Sequence, residues 1–254
     1  MRTMKNVLII QARMQSSRLP GKVLLPLREK PMLDWVVSRA SGSAVIDTCM
    51  VATTDDSADD PIENYCSAHH VPVYRGSQYD VLDRYYHAAK NAEADTIIRV
   101  TADCPLIDPS LIDQLYHFYV REQADFAANR LPPPWHRTYP IGLDAEIVSM
   151  KMLERAWKEA EEKFEREHVM PWFYDTEGRC KTAIMDNDVD YGSHRWTVDT
   201  PEDYQMMQAL FEQLPDPLHN SWLDVLDIIK KHPELELINA QSKAKNVKTI
   251  DTRS

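Results

Sequence analysis

Short apolar runs alternate with helix-spaced patterns through the first half of the chain. The run NVLIIQA, starting at Asn6, predicts a first β-strand, and PMLDWVVSRA predicts a helix that Pro31 can start. DTCMVATT and VPVYRG predict two more strands, separated by a helix in ADDPIENYCSAHH. A helix in YDVLDRYYHAAKNA precedes a strand in DTIIRVTADCPLI; PSLIDQLYHFYVREQ then reads as a helix and DFAAN as a strand. Strands this short and this apolar, alternating with helices, predict a mostly parallel sheet covered on both faces. Ligands of such sheets bind beyond the carboxyl ends of the strands.

The alternation changes after Asn129. RLPPPWHRTYPIG predicts a stiff proline-rich loop, LDAEIVSM a strand, KMLERAWKEAEEKF an amphipathic helix, and EREHVMPWFY a helix broken by Pro171. Residues 130–190 are therefore expected to form an α+β lobe inserted in one domain spanning 1–254, a lobe for acceptor binding or dimerisation. HRWTVDT predicts a further strand, PEDYQMMQALFEQL and SWLDVLDIIKKH helices, and the polar tail after Glu236 a loosely held end.

Composition narrows the class. The 254 residues are 43% hydrophobic and 27% charged, as expected of a globular protein with a sizeable core. A formal net charge of -11 argues against a nucleic-acid partner, because neutralising a phosphate backbone requires a basic face. The apolar run near the N-terminus is too short for a signal peptide, and no run approaches the ~18 residues of a membrane span. Cys49, Cys66, Cys104 and Cys180 lack CxxC spacing and read as reduced thiols, so the expected location is cytoplasmic.

Against that acidic background, QARMQSSRLPGKVLLPL gathers Arg13, Arg18 and Lys22 around Ser16, Ser17 and Gly21 with no carboxylate. A loop of this kind turns backbone N–H groups and cations toward an anion. It is neither a Walker sequence nor a GxGxxG fingerprint. The plainer reading is a solvated loop with surface cations. Asp103 in RVTADCPLIDP ends an apolar run at the same expected rim, where a carboxylate is a hard oxygen ligand suited to Mg²⁺. Helix capping fits Asp108 better than Asp103. Asp199 in RWTVDTPEDY ends another run, and Thr200 and Pro201 supply the cap and first turn that free it for a second metal contact. A buried Asp bonded to backbone N–H groups is the competing reading for Asp199.

The remaining charged motifs are less specific. In YRGSQYDVLDRY, Gly76 and Ser77 allow a flat base to approach the backbone, while Asp80 and Arg84 lie one helical turn apart. A Ser77 cap with a surface Asp–Arg pair explains the same residues. YPIGLDAE and REHVMP bring Asp144, Glu146, Arg166, Glu167 and His168, more ionisable groups than a plain core carries. Surface ion pairing or a subunit contact accounts for them equally well.

In order, VLIIQARMQSSRLPGKVLLPL, VATTDD, YRGSQYDVLDRY, IIRVTADCPLIDP, GLDAE, REHVMP and VDTPEDY resemble the cytidylyltransferase family. The likeness runs from about Lys5 to Gln213 and is strongest to the branch named for spore-coat polysaccharide biosynthesis protein F. It extends to the synthetases of CMP-ketodeoxyoctonate and CMP-sialic acid. The resemblance implies a Rossmann-like nucleotidyltransferase (GT-A-like) fold, Mg²⁺ dependence, a homodimer, and transfer of CMP from CTP to a small anionic sugar or polyol acceptor. It also implies residue roles. Lys22, Arg13, Arg18 and Asp103 are the expected catalytic groups, and Asp103 and Asp199 the metal ligands. The nucleotide site is expected at Gln11, Ala12, Arg13, Ser16, Arg18, Gly21, Lys22, Gly76, Ser77, Asp80 and Thr101. Arg84, Asp144, Glu146, Arg166 and His168 are assigned to the acceptor. The chain departs from the sugar-acid synthetases in reading QAR for PAR and RGSQYDVLDR for an SGTDR-like segment, so base choice and acceptor identity do not carry across. A GTP-using guanylyltransferase of the same fold, a metal-dependent glycosyltransferase and a non-catalytic nucleotide-binding subunit are the alternatives.

Overall fold

A computed structural model describes residues 4–131 and 137–243. In the first half the chain forms β1 (Asn6–Gln11), a minimal hairpin of β2 (Pro26–Leu27) and β3 (Lys30–Pro31), then α1 (Met32–Ala40), β4 (Thr48–Thr54), α2 (Asp60–Ala68) and β5 (Val73–Gly76). α3 (Val81–Asn91), β6 (Thr96–Thr101), α4 (Pro109–Glu122) and β7 (Phe126–Ala128) follow. β1 pairs in parallel with β4 on one side and β6 on the other, and β4 pairs in parallel with β5. Registers Gln11↔Thr101 and Thr54↔Gly76 bring the carboxyl ends of these strands to one rim.

The β1 side chains show why this strand is central. Leu8 and Ile10 belong to one buried cluster and Val7 and Ile9 to the other, as the two-residue repeat of a strand requires. All four are fully buried, each contributing roughly 1.5–3 kcal/mol over an exposed position.

The second half is less regular. β8 (Glu146–Ser149) runs antiparallel between β6 and β7, and β9 (Thr182–Ile184) adds a parallel edge beside β7, completing the order β5-β4-β1-β6-β8-β7-β9. Segment 130–190, expected as an inserted lobe, thus supplies two strands of the main sheet. Its helices α5 (Met150–Glu159), α6 (Lys163–His168) and α7 (Pro171–Tyr174) follow in sequence, and α5 and α6 pack on α3. The helix break at Pro171 is where the sequence places it. Of the proline-rich loop, residues 132–136 lie outside the described residues; Arg130 and Arg137 form an antiparallel bridge.

Two sequence expectations are corrected. HRWTVDT is not a strand of the sheet. It forms one bridge, Ile141↔Arg195, and its backbone bonds loops instead: Trp196 N–H donates to Ile141 O at 2.7 Å and Val198 N–H to Asp103 O at 2.9 Å. The tail after Glu236 is held as far as Lys243: Asn239 is buried and bonded to the segment before α8 (Pro201–Gln213). Residues 244–254 lie outside the described residues. α9 (Trp222–Lys231) follows, and then a 3-10 turn over Pro233–Leu237. Among the described residues no helix is long and apolar enough to cross a membrane.

Candidate active site

The loop after β1 is fixed from beneath. Met14 N–H donates to Asp59 Oδ1 at 2.7 Å, and the other oxygen of Asp59 accepts from Thr53 Oγ1 and from Thr54 N–H and Oγ1 at the end of β4. Gly21 lies at φ 73°, in the left-handed region, and its N–H donates to Met14 O at 2.8 Å. A residue with a side chain is strained there, and the turn delivers Lys22 inward.

Lys22 is the hub of the site. Its Nζ donates to Asp103 Oδ2 at 2.7 Å, to Val198 O at 2.8 Å and to Asp199 Oδ1 at 2.9 Å. Burial disfavours its charge, but Asp103 and Asp199 more than offset that and raise its pKa above the ordinary lysine value. For Asp103, burial likewise opposes ionisation; the ammonium of Lys22 and the Thr101 hydroxyl, 2.5 Å from Oδ1, overcome it and hold the carboxyl at about 2. Burial, with Asp103 beside it, pushes the neighbouring Cys104 thiol well above its usual range.

Asp199 is held in turn from the far side. Arg18 Nη2 and Arg195 Nη2 each lie 3.1 Å from its Oδ2. Arg195 grips fully buried Asp203 with two bonds of 2.9 Å, and Asp203 accepts from the N–H groups of Asp199 and Thr200 at 3.0 Å. Thr200 caps α8 in a reciprocal box with Asp203, and Asp108 caps α4, both as the sequence reads. The C-terminal segment completes the shell: Asn239 Nδ2 donates to Asp203 Oδ1 at 3.0 Å and to Arg195 O at 3.1 Å, and Arg18 Nη1 donates to Lys243 O at 2.8 Å.

Above this floor opens a pocket of about 190 Å³, lined by Gln11, Arg13, Ser16, Ser17, Arg18, Lys22, Val23, Thr101, Ala102, Asp103 and Asp199. The cationic loop, Asp103 just past β6 and Asp199 just before α8 therefore converge on one cavity at the carboxyl rim of the sheet. Ala12 and Gly21 do not line it; Ala12 N–H donates to Ala52 O of β4, and Gly21 N–H to Met14 O within the loop.

Other expected site residues lie away from this lining and make local contacts. Asp80 caps α3 through Asp83 N–H at 2.9 Å and pairs with Arg166 at 2.7 Å; Ser77 accepts from Asp80 N–H. Arg166 also donates to the carbonyls of Trp157 and Ala160, and buried Arg84 donates to Ser77 O at 2.5 Å. Gly76 ends β5, one strand beyond β4. His168 ends α6. Among the described residues lining the pocket, Gly76, Ser77, Asp80, Arg84, Asp144, Glu146, Arg166 and His168 are not found. Asp80, Arg84 and Arg166, expected at the ligand, thus lie outside the pocket lining and are bonded to a helix cap, a turn and a helix end. One link remains, because Gln78 Nε2 donates to Gln15 Oε1 of the opening loop at 2.9 Å.

Asp144 and Glu146 belong to a charge network that the sequence only half disclosed. Glu146 pairs with buried Arg99, directly across from it on β6, and Arg99 Nη2 also donates to Gln11 Oε1 of the pocket at 2.9 Å. Asp144 takes Arg130 and Arg137, each at 3.2 Å. The missed signal was Arg99 itself, a charge inside the apolar run IIRVT. Arg195 and Asp203 were missed because nothing local in HRWTVDTPED marks them as partners.

A family model described as cytidylyltransferase matches residues 7–245. Spore coat polysaccharide biosynthesis protein SpsF of Bacillus subtilis is 30% identical over 233 residues, 89% of this chain and 94% of its own length. A solved cytidylyltransferase from Leptospira borgpetersenii is 33% identical with a TM-score of 0.87, covering 96% of this chain and all of that one. The CMP:2-keto-3-deoxy-manno-octonic acid synthetase solved with CTP, 22% identical with a TM-score of 0.62 over 82% of this chain and 99% of that one, shares the fold.

Proposed function

The chain belongs to the cytidylyltransferase family, and from that membership we propose that it moves CMP from CTP to a small anionic sugar or polyol acceptor, releasing pyrophosphate for use of the product in surface polysaccharide. The observation that carries the reading is the meeting of the cationic loop, Asp103 and Asp199 at a single lysine ammonium.

Little covalent work falls to the protein, so positioning and charge stabilisation dominate. Arg13 and Arg18, with Ser16 and Ser17, line the pocket where a triphosphate has cations and hydroxyl donors facing it. They stabilise the charge that grows on pyrophosphate as the acceptor oxygen attacks the α-phosphorus in line. Lys22, buried under the same pocket, supplies a further positive charge beside that phosphate.

Magnesium fits the residues present. Asp103 and Asp199 each place an oxygen within 2.9 Å of the same nitrogen, so both reach one small cation, and both offer hard oxygen. Among the described residues no third acidic or imidazole group joins them, which suits an ion that keeps waters and takes phosphate oxygens. When bound, it polarises the phosphate and lowers the pKa of an attacking hydroxyl.

For the acceptor, the network in which Arg99, Arg130 and Arg137 face Asp144 and Glu146, one cation in excess and tied to the pocket by Arg99 through Gln11, favours an anionic group. The homodimer implied by the family resemblance completes the proposal, and sedimentation velocity checks it. Free cysteines at Cys49, Cys66, Cys104 and Cys180 suit a reducing cytoplasm, where CTP is supplied. A thermal-shift panel of four nucleoside triphosphates with Mg²⁺ tests the donor: selective stabilisation by CTP is expected, and preference for GTP would overturn the assignment.

A further inference from the structure

Lys22 stands where a cation shared by Asp103 and Asp199 would stand. An ammonium has three donors, and those of Lys22 are committed to Asp103 Oδ2, Asp199 Oδ1 and Val198 O. The side chain is 10% exposed, so it does not reach into the pocket as a free point charge. The outward oxygens of the two carboxylates are engaged as well. Thr101 donates to Asp103 Oδ1, and Arg18 and Arg195 flank Asp199 Oδ2.

The cluster is electrically closed. Lys22, Arg18 and Arg195 face Asp103, Asp199 and Asp203, so cations and carboxylates cancel. A divalent ion approaching alone meets no net negative charge, and each oxygen of the two carboxylates already accepts from a protein donor. It takes the position between the two carboxylates by displacing Lys22. A triphosphate changes that balance, because its phosphates offer Lys22 and Arg18 new anionic partners while the ion takes the carboxylates they leave.

Resting on the metal reading above, we propose that Lys22 is an internal counter-ion for Asp103 and Asp199, exchanged for the divalent cation when nucleotide binds. The exchange ties metal entry to nucleotide entry: the released ammonium turns to the phosphates, and metal binding without nucleotide is suppressed. No covalent bond is made or broken in the exchange; metal–carboxylate ligation replaces the hydrogen bonds of Lys22 at the same two carboxylates. Loss of Lys22 therefore has two opposite consequences, weaker nucleotide handling and stronger binding of the bare ion.

The experiment is Mn²⁺ titration, followed by the paramagnetic signal of the free ion, on the wild type, Lys22→Met and the Lys22→Met/Asp103→Asn double variant, each with and without CTP. Without nucleotide, Lys22→Met is expected to bind Mn²⁺ about ten-fold or more tighter than the wild type, since a like-charged neighbour is gone from a partly buried pair. The double variant loses that gain. Equal or weaker binding by Lys22→Met overturns the exchange. Lys22→Gln serves if the Met variant does not fold. The wild type alone gives a second check, because tight nucleotide-free Mn²⁺ binding by it also overturns the exchange. If wild type with CTP retains no more Mn²⁺ than CTP does by itself, the metal reading fails. If it does retain Mn²⁺ but Lys22→Met gains nothing, the metal reading stands and the exchange alone is wrong.

Discussion

At Asp103, burial raises the cost of ionisation, and Lys22 with Thr101 more than compensates, so the folded carboxyl titrates at about 2 rather than 3.8. A depressed carboxyl stabilises the fold above its unfolded pKa and loses that contribution as pH falls through the folded value. The metal-free protein should therefore weaken between about pH 4 and pH 2, and Asp103→Asn should flatten that acid limb in a urea-melt series. Asp103→Asn should also cost roughly 10²–10³ in turnover, the usual loss when one preorganised polar contact of a charged transition state is removed. The buried Cys66 thiol shows the opposite shift. Burial pushes it up to about 12, so its neutral form supports the fold fully below 9 and that support is lost as pH rises through the folded value. Iodoacetamide labelling of native Cys66 should be negligible at neutral pH and appear on denaturation; rapid labelling of the folded protein would contradict its placement.

Among the elements, the strands and helices of the first half are legible in the sequence because they follow from local pattern, whereas the short β2–β3 hairpin and edge strand β9 carry no such pattern. The first strand, the loop after it and the strand-end Asp103 were all placed by apolar runs and their ends. The segment from His194 to Thr200 was not. Its apolar residues suggest a strand, yet they are buried by threading beside Ile141 and Asp103 rather than by joining the sheet. Gly142 makes that threading possible: it sits at φ 108°, and a Cβ there would lie 2.5 Å from Trp196 O. Gly142→Ala should cost on the order of 1–3 kcal/mol or more in chemical denaturation, since backbone rather than a flexible side chain must yield. The C-terminal segment departs from its sequence pattern for a different reason. Its polarity suggests a loose tail, but Asn239 spends its amide on Asp203 and Arg195, and such pairing depends on tertiary approach alone. Asn239→Ala should lower stability by about 1–3 kcal/mol and slow turnover several-fold through a looser Arg195–Asp199 contact, read by thermal melts and steady-state rates.

For the whole molecule, an excess of acidic residues coexists with a cationic pocket because the two act at different ranges. Screening limits surface charge to about a Debye length of ~10 Å, whereas the half-buried loop cations act directly on whatever enters beside them. The mixed sheet adds the second layer of charge. β8 enters antiparallel beside β6, and that register sets Glu146 against Arg99 and links the network to Gln11. None of this is visible from strand spacing, which is why this network is harder to read from the sequence than the loop after β1. The decisive assay is pyrophosphate release from CTP with Mg²⁺ and a panel of sugar acids, sugar phosphates and polyol phosphates. Pyrophosphate formed in step with a CMP-linked product, and lost in Asp103→Asn, is the expected result. Absence of pyrophosphate with every acceptor, full activity in Asp103→Asn, or release of a nucleoside diphosphate from a sugar nucleotide would contradict it.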